Sequence, residues 1–152
     1  MSLHPITATP ERMPWIPGSQ ALGELSLFQG KETVHFKVLS DRRSEGGGMA
    51  QIVRFSPPPG MLIKIVANAR SDEHIYILAG GHCDKSGRQR LFPGDYLLHP
   101  KGLAHGAFVA IETTVFQVYS GEPDELLDFQ MIAANGSCER DGVKGTEDPG
   151  LC

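Results

Sequence analysis

Short apolar runs of strand length, several of them alternating with polar residues, fill the middle of the chain. Leu25–Phe28, Val34–Leu39, Met49–Phe55, Met61–Ala67, Ile75–Ala79, Arg88–Phe92, Asp95–His99, Gly106–Ile111, Thr114–Tyr119 and Phe129–Ile132 each read as a strand. Between them stand Glu45-Gly-Gly-Gly48, Ser56-Pro-Pro-Pro-Gly60, Gly80-Gly81, Lys85-Ser-Gly87 and Pro93-Gly94, where proline fixes φ and glycine accepts a tight turn. Short strands at regular spacing with such punctuation predict an all-β sandwich or barrel. The helical candidate is a single turn near Pro123–Leu127.

Both ends break the pattern. Residues 1–22 carry prolines at 5, 10, 14 and 17 around Trp15, a density that predicts an extended arm lying on the domain or on a partner, not helix or central strand. Residues 135–152 are polar and glycine-rich without periodicity, which predicts a mobile tail. The body of the domain is therefore expected over residues 23–134.

Composition narrows the function. A chain of 152 residues suits one domain with one core, and 40% hydrophobic with 21% charged residues predicts a folded protein. The formal net charge is −4 and no basic run exceeds Arg42-Arg43, so no nucleic-acid partner is expected. The cysteines Cys83, Cys138 and Cys152 show no C-x-x-C spacing, which reads as a reduced, cytoplasmic chain. No signal-peptide pattern is present and no apolar run approaches the roughly 20 residues of a membrane span, so no membrane partner is expected.

The candidate chemistry lies in two segments. Gly94, Pro100, Gly102 and His105 fit the spacing G-x5-P-x-G-x2-H, in which an apolar strand enters a Pro-x-Gly turn that fixes the following imidazole. Upstream, Glu73 and Gly80 fit E-x6-G. Together these residues resemble the two signature motifs of the cupin superfamily, small β-barrels that often hold one metal ion. The trailing Asn of the full second motif is Val109 here. The resemblance covers residues 33–121 and looks most like the branch containing zinc-dependent anti-sigma factors and small metal-dependent dioxygenases. It implies an all-β fold, a double-stranded β-helix or cupin jelly-roll barrel.

In the family, paired histidines and a glutamate from the first motif and a histidine from the second hold iron, manganese, zinc, nickel or copper. Where the pair belongs, this chain has Ala67-Asn68-Ala69; a four-residue spacer would place it on Val66 and Asn68. The resemblance thus implies an incomplete metal site of Glu73 and His105, holding no cofactor or a weakly held divalent transition metal.

Alternation sorts the remaining candidates. If Glu73 points inward, His74 points outward. His99, just before Pro100, is the best spare imidazole, as a hydrogen-bonded core residue or a ligand, and Asn68 is a weak oxygen donor. His82, past the Gly80-Gly81 turn, is expected exposed, and Tyr76 and Tyr96 are expected to pack on the sheet. Arg54 and Gln117 interrupt apolar strands and join Asn68 and His99 as ligand-binding candidates, with solvent-facing positions as the alternative. A Glu73–His105 pair in an apolar pocket can act as general base and acid without metal.

Three functions follow. One is a depleted-site barrel binding a small organic molecule, with Glu73 and His105 available to convert it. Another is a metal-dependent oxygenase or isomerase completed by His99 or Asn68. The third is a sensor or assembly module. The expected partners are that small molecule and a second copy of the chain, paired through sheet edges and exchanged arms.

Overall fold

The computed structural model describes residues 3–134 and the paired strands Glu139–Arg140 and Val143–Lys144. Apart from that pair, the tail expected over residues 135–152 lies outside the described residues. The strands of the body, in chain order, are β1 (Ile16–Pro17), β2 (Leu27–Phe28), β3 (Lys31–Glu32), β4 (Val34–Asp41), β5 (Met49–Phe55), β6 (Met61–Asn68), β7 (Glu73–Ala79), β8 (Tyr96–His99), β9 (Ala104–Val109), β10 (Thr113–Tyr119) and β11 (Glu125–Ala133). A six-stranded sheet runs β1-β4-β5-β10-β7-β8 and a three-stranded sheet runs β11-β6-β9; all their pairings are antiparallel. Val53, Ile75, Ile77 and Val115 from the first sheet meet Ile63, Val109 and Phe129 from the second in one buried core, giving a jelly-roll barrel. Val109, where the second motif would end in Asn, is fully buried in that core.

Register stacks the inward side chains of the large sheet in rows. Asp41, Met49, Tyr119, Glu73 and His99 pair across β4, β5, β10, β7 and β8 at one end of the barrel. Val38, Gln51, Gln117, Ile75 and Leu97 form the next row, and Phe36, Val53, Val115 and Ile77 the one beyond. Burial in β10 alternates strictly, with Thr113, Val115, Gln117 and Tyr119 inside. Across the barrel, Leu126, Ala67 and His105 pair on β11, β6 and β9.

Several expected elements differ. Pro123–Leu127 is not a helical turn: β11 starts at Glu125, a bulge lies between Leu126 and Asp128, and Leu126 and Phe129 pack on the core as a strand requires. Arg88–Phe92 is a loop, tied by an isolated bridge from Gln89 to Cys83. The arm does hold helix, because proline is tolerated in a first turn: Pro10–Arg12 is a 3₁₀ turn and α1 spans Ser19–Leu22. The arm also packs on its own barrel. Ile16 pairs with Phe36, Lys37 Nζ donates to the Pro10 carbonyl at 2.7 Å, and Trp15 lies 4.3 Å from both Lys37 Nζ and Arg54 Cζ. No helix among the described residues is long and apolar enough to cross a membrane.

The row structure makes a direct prediction. Ile77 is 1% exposed while its neighbour Tyr76 is 44% exposed on the opposite face. Ile77→Ala should destabilise the fold by about 2–5 kcal/mol in denaturant titration, and Tyr76→Ala by no more than about 0.5 kcal/mol. Equal losses would mean that the faces of β7 are wrongly assigned.

Candidate functional site

The barrel holds a cavity of about 430 Å³ between the two sheets, with its polar residues gathered at one end. Glu73 opens β7 there and is 2% exposed. Its position inside follows from Ile75 and Ile77, which share its face two and four residues on. Each carboxylate oxygen is engaged. His99 Nδ1 donates to Oε1 at 2.6 Å, and Gln117 Nε2 donates to Oε2 at 2.5 Å. The Tyr119 hydroxyl also bonds to the carboxylate, and Gln51 Nε2 donates to Gln117 Oε1 at 2.6 Å. Gln51 thereby fixes which end of the Gln117 amide faces Glu73.

His105 enters from the other sheet. The turn before it passes through Gly102 at φ +92°, a conformation that favours glycine. Its Nε2 donates to Asp124 Oδ2 at 2.7 Å and lies 3.7 Å from Glu73 Oε1. The rings of His99 and His105 stack, 3.6 Å between centroids and 13° from parallel. The site therefore consists of two carboxylate–imidazole pairs, Glu73–His99 and Asp124–His105, face to face. Asp124 Oδ1 is buried without a partner.

Charge follows from these contacts. Burial alone would raise the Glu73 carboxyl, but the bond from His99 and the positive charges of His105 and His99 outweigh it and hold the group below its ordinary value. Tyr119 is pushed well above its usual range by burial and by the charges of Glu73 and Asp124, so it stays a donor. His82 is pushed down to about 4, first by burial and then by the charge of His99.

Glu73, His99 and His105 form a group that could hold a metal ion, with donor atoms within 4.8 Å of one another. Imidazole and carboxylate suit zinc, iron or manganese in kind. Their orientation does not fit a shared ion. The rings lie stacked and nearly parallel, and one nitrogen of each already faces a carboxylate at hydrogen-bonding distance. Ala67, opposite His105 on β6, lines the cavity with a methyl group and supplies no donor atom.

Comparison with known proteins agrees on architecture. No protein-family model and no curated protein matches the chain. Among solved structures, KdgF from Halomonas sp. is similar at TM-score 0.53 and 18% identity, over 80% of this chain and 96% of that one. An RmlC-like cupin from Shewanella frigidimarina is similar at 0.53 and 16%, over 80% and 96%. A protein of unknown function with a cupin-like fold from Ralstonia eutropha is similar at 0.58 and 20%, over 82% and 77%. The chain folds as a cupin.

Within this cupin barrel, Glu73, His99, His105 and Gln117 come together, while Arg54 and Asn68 do not. Alternation turns both outward: Arg54 stacks on Trp15 and lies 3.7 Å from Glu112, and Asn68 follows the inward Ala67 at the end of β6. His74 faces out as expected and contacts the Tyr96 hydroxyl at 2.7 Å. Tyr76 and Tyr96 are exposed on that outer face and are not packed beneath anything among the described residues. His82 is buried and lines the cavity, contrary to its expected exposure. Gly81 explains it: at φ +149°, with a Cβ site 1.9 Å from the Leu91 carbonyl oxygen, it folds the chain back beneath the following loop. Tyr119 was findable, two residues beyond Gln117 on the same face. Asp124 carried no signal, because it precedes β11 outside any alternating run.

The buried neutral His82 sets a pH dependence. The unfolded chain binds this proton below pH about 6.5 and the folded chain only below about 4. Stability should therefore be complete above pH 6.5 and fall as the pH drops toward 4, by at most about 3 kcal/mol from this residue. Glu73, held low, adds a loss below its own unfolded value. Urea melts between pH 7 and 4 should show the slope, and His82→Gln should flatten it. An unchanged slope would place the proton uptake elsewhere.

Proposed function

We propose that this chain binds a small organic molecule in the barrel and moves a proton on it, an isomerase- or lyase-type reaction that uses His99 and His105 as paired acid–base groups. The stacked carboxylate–imidazole pairs carry the reading. Each carboxylate holds one ring nitrogen as donor and stabilises the imidazolium that forms when the other nitrogen, His99 Nε2 or His105 Nδ1, accepts a proton. Two such groups 3.6 Å apart can remove a proton from one substrate atom and return one to its neighbour. Gln51, Gln117 and Tyr119 keep Glu73 ionised and oriented, so they position His99 and do not meet substrate through this chain of bonds.

A metal-dependent reading is supported by the proximity of the three donors and by Asp124 Oδ1, a buried acceptor with no donor. It requires one imidazole to turn out of the stack. The similar cupin folds include Fe(II)-HppE, at TM-score 0.50 and 16% identity. With one ring so turned, Glu73, His99 and His105 would hold such an ion, which would supply Lewis-acid or redox chemistry when bound. For assembly, a homodimer is proposed in a cytoplasmic setting. The apolar outer face of β7 and β8, where Tyr76, Leu78, Tyr96 and Leu98 stand exposed, supports the homodimer.

Elemental analysis separates the two chemical readings. Protein purified without chelator should carry well under one equivalent of iron, manganese, zinc, nickel or copper. One equivalent that survives dialysis and disappears in His99→Ala would replace the proton-transfer reading with the metal-dependent one.

A further inference from the structure

We infer that the ligand of this cavity is an uncharged, largely apolar molecule with one hydrogen-bonding head, its head against His99 and His105 and its body between Phe36, Val53 and Val115. The inference rests on the small-molecule reading above and adds the class of molecule.

Polarity along the cavity is set by register. The first inward row carries Glu73, Tyr119 and His99, and the second carries Gln51 and Gln117. From Phe36, Val53 and Val115 onward, every side chain lining the cavity is apolar except His82. Glu73 and Ile77 are four residues apart on one face, so the change from polar to apolar is complete within about 13 Å along the strand. A sugar or other polyhydroxyl body would leave hydroxyls unpaired at the apolar end, which disfavours it.

Charge excludes an anionic head. The charged side chains lining the cavity, the imidazoles aside, are Asp41, Arg43, Glu73 and Asp124. Arg43, the cation among them, is bound by Asp41 at 2.7 Å and Glu122 at 3.3 Å. Of the three imidazoles there, His99 and His105 already face carboxylates and His82 is buried. A ligand carboxylate or phosphate would meet no uncommitted cation there and would lie beside two buried carboxylates. The unpartnered Asp124 Oδ1 favours a head that donates a hydrogen bond.

The test uses the full chain and three probes of similar size: 1-octanol, octanoate and xylose. Isothermal titration should give octanol a Kd of about 1 mM or tighter, octanoate a Kd at least about tenfold weaker, and xylose no binding. Ala107→Phe, which projects a ring into the cavity, should weaken octanol at least about tenfold without lowering the melting temperature. If that chain does not fold, Val53→Leu narrows the cavity from the opposite sheet and should weaken octanol in the same direction. Octanoate or xylose binding as tightly as octanol, octanol failing to bind the folded wild type, or octanol binding unchanged in the folded variant would each overturn the inference. These readouts need neither turnover nor metal. Their failure leaves the proton-transfer reading to elemental analysis, and a stoichiometric metal would leave the ligand class standing.

Discussion

A carboxylate sealed inside a small apolar barrel is the constraint on which the site depends. Glu73 has lost almost all contact with water, and an ionised carboxylate in that position is tolerated only if its oxygens are satisfied. The barrel satisfies them from neighbouring strands at nearly one level: His99 from β8, Tyr119 and Gln117 from β10, and Gln51 behind Gln117 from β5. These partners reach Glu73 because the register of β5, β10, β7 and β8 stacks them. A slip of one residue in β7 would put His74 inside and Glu73 on the outer face. Fold and site are therefore specified by the same pairing.

Much of this was legible in the chain. The apolar runs located β4, β5, β6, β7, β8, β9 and β10; the motif resemblance implied Glu73 inside, and alternation then put His74 outside. The Pro-x-Gly turn placed His105. Misreadings cluster where backbone conformation or partners distant in sequence decide. His82 was assigned to solvent because a Gly-Gly turn ordinarily lies at the surface; here Gly81 fits against the Leu91 carbonyl and folds the histidine under. Arg54 was named as a ligand-binding candidate with a solvent-facing position as the alternative; it faces outward, and its aromatic partner, Trp15, comes from the arm. Asp124 could not be found by period at all, since it stands before the first paired residue of β11 and meets His105 only through the closure of the barrel.

The alanine at position 67 gives the arrangement its chemical character. With a methyl group opposite His105, the β6 side of the site supplies no ligand, and the polar groups come instead from β7, β8, β10 and the segment before β11. That shift leaves both imidazoles bonded to carboxylates and stacked. It also clears space, so that one cavity combines a polar end with an apolar chamber. Carboxylate-paired imidazoles at one end and an apolar lining at the other are two consequences of one sheet register.

The central claim is that His99 and His105 are held as carboxylate-paired proton carriers. Long-range ¹H–¹⁵N correlation spectra of histidine-labelled protein at neutral pH read the protonated nitrogen of each ring directly. The account predicts protonated Nδ1 on His99 and protonated Nε2 on His105, the His99 signal shifting in Glu73→Gln and both persisting when zinc is added. Opposite tautomers, or the loss of both patterns with one equivalent of zinc, would contradict it.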